Sequence, residues 1–240
     1  MDEVERLLKT ADGDILRWDA APELKGADEF ARCMTDNGIL CAIAHSNADS
    51  EETQRGIDCG FSHVTHFYNA VTTYHKEGQT VYGGIVEAAY LNSGVTVELI
   101  CDGKHIPRDI LRLALKIKGV NSVAAITDAM RLSGTDMRQG KLGSLANGTD
   151  VIADDGVAKL PDMSSFAGSV ATMDRCLKVL CLDYGISLTD ASVMLSGTPA
   201  RLSRLGDTKG RIQNGMDADM VLVNREMAVT GVISNGKAVK

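Results

Sequence analysis

The chain has no Cys-x-x-Cys pair, no apolar run long enough to cross a bilayer and no excess of positive charge, and each absence removes a class of function. Its six cysteines, Cys33, Cys41, Cys59, Cys101, Cys176 and Cys181, mostly lie inside apolar or periodic segments. That is how small buried hydrophobes sit in a reducing compartment, and it argues against a disulfide framework. No stretch approaches the ~18 apolar residues that a membrane span needs. The acidic start MDEVERLLK lacks the positive and apolar regions of a signal peptide. No membrane partner and a cytoplasmic location are expected. Lys and Arg number 25 against 32 Asp and Glu, a net charge of −7. Nucleic-acid affinity comes from clustered cations that release counterions from phosphates, so no nucleic-acid partner is expected. Neither G-x-G-x-x-G nor G-x-x-x-x-G-K-S/T follows any strand-like segment, which weighs against the commonest nucleotide-binding folds. There is no internal repeat and no low-complexity linker.

What is present is a 240-residue chain with 44% hydrophobic residues, enough for a substantial core. Apolar runs with little alternation recur at 14–20, 39–44, 61–65, 95–100 and 122–127, the pattern of parallel strands covered on both faces. Between them, ADEFARCMTDNG and DSEETQRGIDCG have helical spacing and glycine stops, and PRDILRLALKIKG opens on proline at the first helical position. Alternating strands and helices imply right-handed parallel crossovers, hence a barrel or a doubly wound sheet. From Asp128 to about residue 165 the chain is glycine-rich and polar. A long amphipathic helix, SVATMDRCLKVLCLDYG, and a shorter one, LTDASVMLSGTPARLSRLG, follow. The tail alternates in short β runs and carries an Asn235-Gly236 hairpin signal, which reads as a small antiparallel cap.

In parallel α/β folds the chemistry gathers where the strands end and the βα loops converge. Each of the five strand-like runs is followed by a titratable side chain: Glu23, His45, His66, His105 and Asp128. A single histidine at a strand end is more often a hydrogen-bonded structural residue than a ligand. His63 and His75 are left under that reading, His63 because its odd spacing from His66 sets it on the other strand face. His45, His66 and Asp128 recur together at successive strand ends, which chance does not easily arrange. Two neutral imidazoles suit zinc or ferrous iron and leave room for a carboxylate and a water, an open catalytic site. Such a metal makes hydroxide available near neutral pH. Asp128 can then move a proton from water to a leaving amine, and His105 can polarise a carbonyl. The reaction class is metal-assisted hydrolysis.

The blocks AHSNAD, THFYNAV, CDGKH, ITDAM, FAGSVATM and GRIQNGMDADMVLVN resemble, in that order, those of the N-acetylglucosamine-6-phosphate deacetylases of the amidohydrolase superfamily, from about residue 15 to the end. The resemblance implies an α/β fold of TIM type, a partial (β/α)8 barrel with about five of its eight βα units, and a small β-domain built from both chain ends. It divides the chain into a barrel portion, 1–205, and a β-domain portion, 206–240. It implies hydrolysis of the acetamide of an amino-sugar phosphate, a divalent metal (zinc or iron) as cofactor, and a homodimer. By motif, His45 and His66 match metal ligands, Asp128 the general acid/base and His105 the carbonyl-polarising group. Asn69, Ala70 and the Phe166-Ala167-Gly168 turn match sugar-phosphate contacts, and Asp102 and Gly103 shape the loop that presents His105.

The sequence departs from the family in three places. The His-Leu-Glu-Gly-Pro block that carries a metal-binding glutamate is absent from these 240 residues. Glu23 lies in a different strand block and is not assigned as its replacement. The chain starts near the fourth barrel strand, so weak or no activity of this chain alone is expected. The family's phosphate-binding arginine falls on Glu77, beside which His75 and Lys76, together with Lys104, are the available cations.

Overall fold

In the computed structural model, which describes residues 1–239, the five apolar runs form one parallel sheet. Helix α1 (Asp2–Ala11) leads into β1 (Arg17–Ala20), followed by α2 (Ala27–Asp36), β2 (Leu40–Ile43), α3 (Ser50–Cys59) and β3 (Phe61–Val64). A hairpin of β4 (His75–Glu77) and β5 (Thr80–Tyr82) precedes α4 (Ile85–Leu91), β6 (Thr96–Ile100), α5 (Arg108–Lys118) and β7 (Val123–Ile126). The sheet order is β1-β2-β3-β6-β7, and every pairing is parallel. Strand order therefore follows chain order without a reversal. A doubly wound sheet turns back at a switch point, whereas barrel winding keeps stepping the same way. The five βα units are thus of barrel type, a partial TIM-like sheet.

The helix boundaries follow from local chemistry. Asp49 and Glu52 form a reciprocal capping box at the start of α3. Gly60 ends it with φ 131, where an added Cβ would lie 2.3 Å from the Thr35 hydroxyl. Pro107 stands at the N-cap of α5 and not at its expected place as the first helical residue, which is Arg108; its fixed extended backbone delivers the chain into the helix. Phe30, Ala31 and Met34 of α2 and Leu111 and Ala114 of α5 share one core with Cys41, Ile43, Phe61, Val64 and Leu99 of the strands. Each large side chain buried there contributes roughly 1.5–3 kcal/mol.

Polar residues of β1, β3 and β6 form a connected network within the sheet. His63, fully buried, pairs through Nδ1 with Thr96 Oγ1 at 2.7 Å, and its Nε2 lies 3.3 Å from Glu98 Oε1. Arg17 pairs with Glu98, donates to Asp19 Oδ1 at 2.7 Å and reaches Thr65 Oγ1 at 2.6 Å, while the Thr65 hydroxyl donates to Asp19 at 2.7 Å. The reading of His63 as a structural residue agrees with this.

After β7 the glycine-rich, polar stretch holds a second, four-stranded antiparallel sheet. It comprises β8 (Gln139–Leu142), β9 (Thr149–Asp154), β10 (Val157–Lys159) and β11 (Phe166–Ser169), in the order β11-β10-β9-β8. Its own small core contains Met130, Leu132, Val151, Ala158 and Ala167. The Phe166-Ala167-Gly168 segment is accordingly a strand and not a turn; the irregularity it shows is the left-handed backbone of Gly168, φ 86. The amphipathic helix expected from Ser169 begins later, as α6 (Met173–Lys178), because Ser169 belongs to the β11 ladder. A π-helical turn, Val179–Asp183, extends it. Helices α7 (Leu188–Ser192) and α8 (Thr198–Leu202) flank another such turn, Val193–Gly197. Strands β12 (Met220–Val223), β13 (Val229–Ser234) and β14 (Lys237–Ala238) close the described chain as an antiparallel sheet. Asn235 and Gly236, φ 47 and 75, make the expected tight turn. No helix among the described residues is long and apolar enough to cross a membrane.

Burial by itself would raise the Glu98 carboxyl, but His63 and Arg17 outweigh it and hold the group at about 2, below its ordinary 4.5. A depressed carboxylate stabilises the fold fully above pH 4.5, and that contribution is lost as pH falls toward 2. The shift corresponds to about 3 kcal/mol. Glu98→Gln is expected to lower the unfolding free energy at pH 7 by about that amount and to flatten its acid dependence. Urea titrations at neutral and acid pH check this; a wild-type midpoint in the variant would show that the network carries no net stability.

Candidate active site

Strands β1, β2 and β3 end level with one another and β6 and β7 with each other, β6 running three residues beyond the end of β3. Thr65 N donates to Ile43 O at 2.9 Å, Phe67 N to Glu98 O at 2.8 Å and Cys101 N to Ile126 O at 3.0 Å, so backbone pairing continues past the ends of β3 and β6 before the loops leave. His45, His66 and Asp128 then take left-handed backbone, with φ 47, 31 and 49. Non-glycine residues adopt this region at a cost, His and Asp more readily than most, and such strain clusters at functional sites. Three of the sequence-selected residues, leaving three different strands, share it.

His45 and His66 come together. Their Nε2 atoms are 3.0 Å apart, with the rings nearly perpendicular at 89°. His66 is buried and its Nδ1 has no hydrogen-bond partner, whereas His45 is exposed. Two nitrogens each about 2.0–2.1 Å from one zinc ion sit about 3 Å apart, so the pair fits two positions of a shared divalent ion. Among the described residues no group of three or more His, Cys, Asp or Glu side chains is placed to hold a metal, so no third protein ligand joins the two imidazoles.

Glu23 does something else, which sequence reasoning missed. The Ser46 hydroxyl donates to its Oε2 at 2.6 Å and the Asn47 amide to its Oε1 at 2.8 Å. Ser46, itself buried, accepts from Ala48 N at 3.1 Å, and its amide donates to the Ala70 carbonyl at 3.1 Å. Both carboxylate oxygens thus hold the loop that carries His45. Asn69 N donates to His66 O at 2.8 Å, and Ala70, φ 50, lies exposed beside that turn.

A second group surrounds His105. Its Nδ1 lies 2.7 Å from Asp102 Oδ2, and the amides of Lys104 and His105 donate to Asp102 Oδ1 at 2.8 and 3.0 Å. Burial raises the Asp102 carboxyl, but these hydrogen bonds prevail and hold it below the ordinary Asp value. Gly103, φ 83, permits the tight turn between them. The His105 ring packs on Phe166 with centroids 4.9 Å apart. Strand β11, which carries Phe166, is tied to the Asp128 loop by Ser169 N donating to Asp128 O at 3.0 Å and Met130 N to Ser169 O at 2.9 Å. A Cβ on Gly168 would lie 3.3 Å from the Asp128 carbonyl, while Ala167 is buried in the small core behind. His105, Asp128 and the Phe166–Gly168 strand therefore form one structural group, and His45 and His66 another, both on loops that leave the same ends of the sheet. The cations offered for phosphate are less available than the sequence suggests. Lys104 Nζ is paired with Asp155 at 2.6 Å, and the His75 ring stacks on Tyr82 with Nδ1 2.9 Å from the Thr73 carbonyl; Lys76 and Glu77 are exposed on β4.

Glu23→Ala leaves the buried Ser46 hydroxyl without its acceptor, which is expected to cost about 1–3 kcal/mol and to weaken zinc binding about tenfold or more by releasing the His45 turn. Thermal unfolding and calorimetric zinc titration measure the two effects. Wild-type zinc affinity in the variant would separate Glu23 from the histidine pair.

The model of the amidohydrolase family matches residues 18–239. An N-acetylglucosamine-6-phosphate deacetylase of Lysinibacillus sphaericus is 30% identical over 217 residues, covering 90% of this chain and 54% of that protein. The crystal structure of N-acetyl-D-glucosamine-6-phosphate deacetylase from Mycobacterium smegmatis superposes with a TM-score of 0.89 at 29% identity, over 100% of this chain and 62% of that one. The corresponding Thermotoga maritima structure gives 0.84 at 30% identity, over 98% of this chain and 62% of that one. The chain spans about half the length of the curated relatives it matches. With a family match that runs through nearly all of its length, the chain belongs to the amidohydrolase family.

Proposed function

We propose that this chain serves the hydrolysis of the acetamide of N-acetylglucosamine 6-phosphate to glucosamine 6-phosphate and acetate. The observation that carries the reading is the meeting of His45 and His66 from adjacent strands at 3.0 Å, in a chain whose relatives bear the name of that activity. His45 and His66 would hold a divalent ion, zinc or iron by the imidazole character of the donors. When bound, that ion supplies Lewis acidity toward the acyl oxygen and toward water. Asp128, exposed at its strand end, takes a proton from the attacking water and returns it to the leaving amine as the carbon–nitrogen bond breaks. Asn69, Ala70 and the loop of Asp102 and Gly103 line the approach for the sugar phosphate, with Phe166 beside His105 supplying an apolar surface.

A second reading has one observation in its favour. With two histidines and no third ligand among the described residues, the chain would retain sugar-phosphate contacts without turnover of its own.

Acetate release from N-acetylglucosamine 6-phosphate by the zinc-loaded chain decides between them. The proposal expects release, weak for this chain by itself, and expects Asp128→Asn to lower it by about 10²–10⁴-fold while zinc stays bound. Release that is indifferent to Asp128→Asn would remove the proton-transfer role, and zinc binding without any release would favour the second reading.

A further inference from the structure

The geometry around His105 fixes more than the ring's position. Asp102 is fully buried, and its two oxygens have different partners: Oδ1 accepts from the backbone amides of Lys104 and His105, and Oδ2 faces His105 Nδ1 at 2.7 Å. An ionised carboxylate only accepts, so the proton in that contact resides on Nδ1. With one proton on the ring, the lone pair is left on Nε2, to which none of the described residues hydrogen-bonds. The surroundings keep this arrangement: Arg175 Nε donates to the Asp102 carbonyl at 3.2 Å, and the one cation on the loop, Lys104, is turned away to Asp155. Phe166 packs against the ring at a tilt of 58°, centroids 4.9 Å apart.

We propose that Asp102 is a positioning residue that holds His105 with its proton on Nδ1, so that His105 meets the ligand as a hydrogen-bond acceptor at Nε2 and recognises a donor, a sugar hydroxyl or the nascent amine. This differs from the carbonyl-polarising role that the sequence motif implies, which needs a proton on Nε2. The inference rests on the amide-hydrolase reading for the identity of the ligand, not for the state of the ring.

Asp102→Asn tests it without a change of shape. The two backbone amides keep the amide oxygen of Asn in the Oδ1 position, so its NH2 group is placed against His105 Nδ1. A donor there forces Nδ1 to accept and moves the ring proton to Nε2, as such a swap does in a hydrolase triad. Two-bond proton–nitrogen correlation spectra of the 240-residue chain, taken at about pH 8.5 where an ordinary imidazole is neutral, read the tautomer directly. The expected wild-type result is a protonated Nδ1 and a bare Nε2 for His105, reversed in Asp102→Asn. If the variant does not fold, the wild-type spectrum alone decides. A wild-type His105 protonated on Nε2, or on both nitrogens, overturns the proposal. Absence of acetate release leaves these spectra unaltered, so the two readings fail independently.

Discussion

The candidate site depends on one constraint: adjacent parallel strands must end at the same level. Hydrogen-bonded strands run about 4.8 Å apart. A residue just beyond β2 and one just beyond β3 can therefore share an ion only if neither strand overshoots the other. The register pairs Ile43 with Val64, and the ladder carries on through Thr65 N to Ile43 O at 2.9 Å. His45 and His66 leave from that common edge, each through a left-handed backbone step that turns the chain out of the sheet. Glu23, at the end of β1, then braces the His45 loop from the other neighbouring strand. Strand registry and loop clamping together bring two nitrogens within 3.0 Å.

The same strands carry a charged network, and the two features are linked through β3 and β6. Thr65 and His63 belong to the network, and His66 follows directly after. Glu98 anchors Arg17 and His63 through its side chain and accepts Phe67 N through its carbonyl, so it fixes β6 against the turn that holds His66. A buried carboxylate is tolerated here because an arginine and a histidine both face it. Removal of Arg17 would leave the Glu98 carboxylate with His63 as its remaining partner in a low-dielectric setting, which costs more than the pair itself contributes.

Much of this was legible in the sequence, for reasons that can be named. The five parallel strands are bounded by glycine stops and polar helices, so their apolar runs stand out within three residues of the observed limits. Strands β8 to β11 did not, because their small core draws one or two residues from each of β9, β10 and β11 and leaves segments such as Gln139–Leu142 without alternation. His45 and His66 were visible as polar residues at strand ends, but the ties of the Asp128 loop to β11 were not, because they join backbone groups about forty positions apart that sequence spacing does not encode. The Asp102–His105 contact is local and could have been drawn from the Asp-Gly-x-His spacing alone. The Glu23 clamp joins residues more than twenty positions apart and has no local signature.

The proposed chemistry requires a single divalent ion shared by the imidazoles of His45 and His66. X-ray absorption of the zinc-loaded chain tests that most directly. The spectrum should show two imidazole nitrogens at about 2.0–2.1 Å with oxygen completing the shell, and the imidazole scattering should fall when either histidine is replaced by alanine. A zinc shell without imidazole, or one that is the same in both variants, would contradict it.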